Sequence, residues 1–350
     1  MRKKITVFIS LFYCSFASLA QQSGPLVTTI AFGSCASEQR PQPILDLVVQ
    51  HRPDLFVYLG DNIYGDTKDM NILKGKYAAL AARPEFKRLK QNVRILATWD
   101  DHDYGWNDIG RHYPFKVQSK EIFLDFFGEP ADSERRKHPG IYTSYMFSSG
   151  GKTLQLILLD GRTFRDDLRT YRGELHRDDK YFYALDYFPH QTTDSTLLGN
   201  EQWAWLENEL KKPADLRIIG SGTQFSISYN GYEAWANFPH EQKRMLDLIK
   251  KTRANGVIFI TGDVHYGEIS RLQSEGMYPV YDVTSSGITS TWHFPTPNAN
   301  RIEGPIMDNH FGLLTIDWNK PDIEIKMEIW DVRNNQRVEY TIKKSEIAFK

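Results

Sequence analysis

Six short apolar, β-branched runs, at residues 28–32, 55–59, 94–98, 154–159, 217–221 and 257–261, each stop at glycine, aspartate or serine. Runs of this length bounded by such residues read as buried strands. Helical patterns lie between them, at 43–51, 79–91, 200–211 and 240–255. In the third of these Trp203, Leu206 and Leu210 share one face, and Gly256 stands where the fourth must stop. Strands alternating with helices demand an α/β sheet. The C-terminal stretches HFGLLTIDW, DIEIKMEIWDV and RVEYTIKK break that rhythm and predict an antiparallel meander, turning at Asn319-Lys320-Pro321 and Asn334-Asn335.

The chemistry-bearing residues fall where those strands end. The first is followed by Gly33-Ser34-Cys35, the second by Gly60-Asp61-Asn62-Ile63-Tyr64, the third by Trp99-Asp100-Asp101-His102-Asp103, and the last by Gly262-Asp263-Val264-His265. Ligands bind at the carboxyl ends of strands in open α/β sheets, so thiol, carboxylate, phenol and imidazole are delivered toward one edge. Any one of these residues alone reads equally as a turn cap or a packed side chain. Together, so many carboxylates would repel one another unless cations neutralised them, which predicts a metal centre with room for two or more ions.

The N-terminus sharpens the case of Cys35. Arg2, Lys3 and Lys4 precede an apolar stretch over 5–19, and Ser18-Leu19-Ala20 precedes Gln21, the layout of a secretory signal peptide. The expectation is a leader at 1–20 and a single domain over 21–350. The chain has two cysteines, and Cys14 lies within the leader, which leaves Cys35 unpaired. An unpaired thiol in an exported protein is buried, reactive or metal-bound. Coordination is the reading that also explains the carboxylates, because a bound thiolate is shielded. With 43 basic against 44 acidic residues, neither a nucleic-acid nor a membrane-surface role is expected, and no later apolar run is long enough to span a bilayer.

GSC, GDNIY, TWDDHD, LLDGRTFR, LGNEQWAWL, GTQF and TGDVH, in this order, resemble the PhoD-type alkaline phosphatases within the calcineurin-like metallophosphoesterase superfamily. The resemblance implies a four-layer α/β/β/α sandwich, a metal site on the shared edge of its two sheets, and hydrolysis of phosphate esters. Carried over residue by residue, it implies that Cys35, Asp61, Tyr64 and His265 ligate Fe(3+), with Asp61 bridging. It implies Ca(2+) or another divalent ion on Asp263 and on Asp101 or Asn107, leaving open which of the last two is the ligand. His102 then faces the leaving group, and Asp103 orients it. Thiolate and phenolate suit trivalent iron, whereas carboxylate and amide oxygens suit calcium. Hydrolysis would proceed through a metal-activated hydroxide or oxo nucleophile, with no phosphoenzyme.

Arg162 and Arg165 match the family's LDxRxxR pattern; either they reach the phosphate or they brace Asp160 or the following loop. The stretch 166–198 is charged and rich in aromatic residues, among them Tyr171, Tyr181, Phe182, Tyr183, Tyr187 and Phe188, and reads as a lid insertion. Trp106, Trp292 and Phe294 either line the pocket or pack, and Thr284-Ser285-Ser286 and Asn309-His310 also follow late strands. The expected activity is an exported phosphoesterase acting on small phosphate esters, with phosphodiesterase or phospholipase action as the alternative. A noncatalytic metal- or sugar-binding exported protein is the reading from another class.

Overall fold

The computed structural model describes residues 23–170 and 186–350. The leader at 1–20 lies outside these residues, as do 171–185 of the lid stretch.

Three parallel strands, β1 (Thr29–Gly33), β2 (Leu55–Leu59) and β3 (Arg94–Thr98), are joined through helices α1 (Pro43–His51), α2 (Met70–Ala82) and α3 (Pro84–Asn92). The single helix expected over 79–91 is two helices. Pro84 disfavours helical geometry at the residue before it, and Arg83 accordingly sits at φ −61°, ψ 130°, capping one helix and opening the next. A short turn, α4 (Asp101–Tyr104), follows β3 directly and leads to α5 (Lys116–Phe126).

The second sheet contains β4 (Thr143–Ser149), β5 (Lys152–Leu158), β6 (Leu216–Ser221), β7 (Val257–Thr261), β8 (Gly267–Leu272), β9 (Val280–Ser285) and β10 (Arg301–Ile306). With the edge strand Ser23–Gly24 it runs in the order Ser23–Gly24, β4, β5, β6, β7, β9, β8, β10, and β5, β6, β7 and β9 are mutually parallel. Helices α6 (Gly199–Leu210) and α7 (Pro239–Thr252) fill its crossovers. The chain then returns to the first sheet with β11 (His310–Asp317), β12 (Glu324–Asp331) and β13 (Gln336–Lys343). This is the antiparallel meander, and it extends the sheet in the order β13, β12, β11, β1, β2, β3.

Strand alternation divides the core into two halves. Leu55, Val57 and Leu59 of β2 join Ile30 and Phe32 of β1 in a cluster with Leu156 and Leu158 of the second sheet and with Trp203, Leu206 and Ile249 of α6 and α7. The opposite faces, Ala31, Phe56 and Tyr58, pack against Ile44, Leu45, Leu80 and Leu89 of α1–α3. Since side chains alternate at period two, β1 and β2 serve two cores at once, which is why they read as continuous apolar runs. The layers are therefore helix, sheet, sheet, helix. The carboxyl ends of β1, β2 and β3 in the first sheet and of β7 in the second bring their following residues to one edge. Among the described residues no helix is long and apolar enough to cross a membrane.

Candidate metal centre

The loops after β1, β2 and β7 leave their strands through strained backbone. Cys35 (φ 60°), Asp61 (φ 47°), Asp263 (φ 80°) and His265 (φ 57°) all occupy the left-handed region that side-chain-bearing residues avoid. Such conformations cluster at functional sites because the surrounding structure must hold them there. Gly60 (φ 105°) opens the loop after β2, and a Cβ there would meet Asp100 Cβ at 2.4 Å. Gly262 plays the matching role after β7, where a Cβ would meet Ser34 Oγ at 2.4 Å. The glycine of each Gly-Asp pair thus lets one strand end pass close to another.

The donors converge in overlapping groups. Ligand atoms of Cys35, Asp61 and His265 lie within 4.8 Å of one another, as do those of Asp61, Asp101 and His102, and those of Asp100, Asp101 and Asp263. Asp61 belongs to two of these groups, so a bridging role suits its position. Cys35 is fully buried; its thiol donates to Asp61 Oδ2 at 3.4 Å and lies 3.1 Å from Ser286 Oγ. Tyr64 Oη is 3.3 Å from His265 Nε2, and its ring centroid is 4.4 Å from that of His102.

Burial, followed by the charge of neighbouring acids, pushes the Asp61 and Asp263 carboxyls well above the usual range. Burial takes the Cys35 thiol to about 12 and the His265 imidazole down to about 4, where the ring is neutral and able to ligate. The carboxylate oxygens Asp61 Oδ1, Asp100 Oδ2 and Asp101 Oδ1 are buried without a hydrogen-bond partner. Orphaned buried acceptors are costly, and cations would satisfy them all. The donor set therefore fits metal ions.

The PhoD-like phosphatase family model matches residues 30–310. This chain belongs to the PhoD-like phosphatase family. Alkaline phosphatase D of Bacillus subtilis (strain 168) is 25% identical over 299 residues, covering 74% of this chain and 48% of that protein. The chain thus spans about half the length of the curated relative it matches. A solved PhoD structure superposes with TM-score 0.73 at 17% identity, covering 95% of this chain and 72% of that one. The anchor in the inner membrane complex of Plasmodium (TM-score 0.55, 14% identity, covering 93% and 90%) has the same fold. So does a dimetal phosphatase of Danio rerio (TM-score 0.50, 14% identity, covering 93% and 100%).

At this edge the geometry differs from one expectation. His102 Nδ1 meets Asp66 Oδ1 at 2.7 Å, so Asp66, and not Asp103, orients the ring. Neighbouring residues on the helical turn α4 point apart, and Asp103 faces inward instead. There it accepts from the backbone N–H groups of Asn62 and Asp100 and from the Tyr77 hydroxyl. Burial opposes the charge on His102, but the Asp66 hydrogen bond and the Asp101 and Asp66 charges outweigh it and raise the pKa to about 9. The sequence carried a signal for Asp66, a third Gly-Asp pair at Gly65-Asp66.

Of the two alternative ligands after β3, Asp101 is buried among the donors. Its Oδ2 accepts from the Asp108 N–H at 2.6 Å, and Arg162 and His102 overcome burial to hold its pKa near about 2. Asn107 is exposed and donates to Asp108 Oδ2 at 2.8 Å.

Arg162 and Arg165 are buried braces, although their target is not Asp160. The Arg162 guanidinium contacts Asp100 Oδ1 at 2.5 Å, approaches Asp101 Oδ1 at 3.7 Å, and gives Nη1 to both Glu233 oxygens at 2.9 Å. Arg165 pairs with Glu233 at 3.2 Å. Asp160 is satisfied separately, by the N–H groups of Ile141, Arg162 and Thr163.

Glu233 carried no motif that sequence reasoning could weigh. Ser286, noted only as following a late strand, holds Cys35 Sγ and accepts from the His265 N–H, while its own N–H donates to His310 Nε2. Within the stretch 166–198, the Tyr187 hydroxyl donates to Asp108 Oδ2. Trp292 lies beside the donors, its ring 5.8 Å from that of His265 and 4.9 Å from that of Tyr232, and the Phe294 ring lies tilted 6.1 Å from it. Trp106 lies over Tyr113, with Lys68 above its face.

Proposed function

We propose that this chain is an exported, metal-dependent phosphoesterase that hydrolyses small phosphate esters. The observation that carries the reading is the convergence of thiol, phenol, imidazole and carboxylates on orphaned carboxylate oxygens, beside a histidine held by an aspartate. Cys35, Asp61, Tyr64 and His265 would hold a ferric ion, since anionic sulfur and phenolate oxygen stabilise trivalent iron. Asp100, Asp101 and Asp263 offer the oxygen-only environment that calcium takes. Bound cations would offset the carboxylate charge, hold phosphoryl oxygens and acidify a water.

The chain's own groups complete the chemistry. Asp66 fixes His102 through Nδ1, which leaves Nε2 carrying a proton toward the donors. At neutral pH that proton is available to the departing alkoxide. The Arg162–Glu233–Arg165 set keeps Asp100 in place and neutralises it in part. The resemblance of residues 1–20 to a leader supports export, and the shared meander supports a single domain over 21–350.

A diester reading is favoured by one observation, the Trp292–Tyr232–Phe294 wall beside His265, which would receive an apolar second arm such as that of a phospholipid. The noncatalytic reading has to explain why His102 and Asp66 are paired at the donors. The test is hydrolysis of matched chromogenic monoester and diester phosphates by protein purified without chelator, with calcium added. Monoester preference supports the alkaline phosphatase reading and diester preference the alternative. Hydrolysis of neither, by metal-loaded protein, overturns both.

A further inference from the structure

The two arginines that the motif marked for phosphate are consumed internally, so the transferred group lacks an assigned cationic side chain. Lys76 pairs with Glu38, and Arg111 with Asp166. Lys68 lies over the Trp106 ring. Arg40 differs from all of these. It is exposed on the loop between β1 and α1, and among the described residues no carboxylate lies within ion-pairing distance of it.

Its guanidinium is nevertheless held. Nη1 donates to Thr289 O at 3.1 Å. That residue is itself fixed to the metal-site loop, because its N–H and Oγ1 both donate to Cys35 O, at 3.0 and 2.9 Å, and Oγ1 accepts from the Ser37 N–H at 2.7 Å. The next residue, Ser290, places Oγ 3.3 Å from Tyr64 Oη. Arg40 is thus anchored on the segment that touches two of the candidate ligands, Cys35 and Tyr64. Among the described residues one nitrogen is engaged and the remaining donors of the fork have no partner, the pattern that recognises a phosphoryl group through paired hydrogen bonds.

We propose that Arg40 is the side chain that binds the non-bridging oxygens of the scissile phosphate at the rim of this site. The proposal rests on the phosphoesterase reading and names the residue that would supply substrate affinity in it. Hydrogen bonds to an ionised partner of this kind are worth roughly 10- to 100-fold in affinity.

The experiment is steady-state hydrolysis of the chromogenic ester, with inorganic phosphate as competitive inhibitor, for native protein, Arg40→Ala and Arg40→Lys. Arg40→Ala should raise KM and the phosphate inhibition constant together, by roughly 10- to 100-fold. Arg40→Lys should recover part of both, while melting temperature and metal content stay at native values. An unchanged inhibition constant in Arg40→Ala overturns the proposal, including the case where KM alone rises, since the contact would then lie elsewhere on the substrate. If native protein hydrolyses no ester, the phosphoesterase reading fails by itself. Calorimetric binding of inorganic phosphate then judges Arg40, and equal affinity in native protein and Arg40→Ala overturns the assignment.

Discussion

His102 and Asp103 are adjacent in the chain, yet the site divides them between chemistry and scaffold. On the proposed reading His102, with Nδ1 on Asp66, is the proton donor, and Asp66→Asn would remove both the orientation and the charge that keep it protonated. We expect His102→Ala to lower turnover by roughly 10²- to 10⁴-fold with metal content retained, and Asp66→Asn to lower it by roughly 10- to 100-fold. Asp103→Asn should instead lower the melting temperature while leaving kcat/KM within a few-fold of native, because the acceptor lost there serves Asn62, Asp100 and Tyr77. Kinetics, metal analysis and melting on the three variants separate the roles. A collapse of kcat in well-folded Asp103→Asn would restore Asp103 as the orienting residue. The candidate donors were legible in the sequence because they fall where strands end. The partner of His102 was not, because contact across two loops depends on which way a helical turn projects its side chains.

At the scale of elements, the buried parallel strands β1, β2, β3, β5, β6 and β7 were read to within about two residues, since such a strand is short, apolar and punctuated, whereas β4, β8, β9 and β10 were given no range. The helices were less legible: α2 begins at Met70 on a cap formed by Asp69, and the Arg83-Pro84 break lies inside a run of helix formers. One acid joins two elements in a way no periodicity announces. Glu241, in the first turn of α7, accepts from the N–H groups of Leu197 and Leu198 at the start of α6, from Thr196 Oγ1 and from Trp203 Nε1. Burial works against its charge, but these donors prevail and hold its pKa below the ordinary 4.5. A carboxyl depressed in the folded state adds stability that is present above its unfolded pKa and lost as pH falls through the folded value. Glu241→Gln should therefore cost about 1–3 kcal/mol at pH 7. The gap to native protein should narrow as pH drops below about 4.5. Denaturant melts of both proteins at pH 7 and pH 4 check this, and a gap that is equal at the two pH values would show that the carboxylate charge contributes nothing there.

Across the whole molecule, the two sheets meet at the site. The first contributes Cys35, Asp61 and Asp101 from its strand ends, and the second contributes Asp263 and His265 from β7. Between them lie buried acids whose mutual repulsion the Arg162 guanidinium offsets only in part: burial still leaves Asp100 at about 8. Cations bound there would tie one sheet to the other and stabilise the folded state by mass action, by about 4 kcal/mol at a thousandfold excess over Kd. Removing them should lower the melting temperature by roughly 5 °C or more. Asp61→Asn makes the argument two-sided. With metal present it loses a shared ligand and should melt below native protein and hydrolyse nothing. In chelator it deletes a desolvated carboxyl crowded by Cys35 and Asp101, and should melt at or above the native chain. That reversal of order, read from melting curves with and without chelator, is expected only if the strained loops and the acid cluster exist to hold ions. The same order in both conditions would mean that Asp61 supports the fold directly and that the metal centre has to be drawn without it.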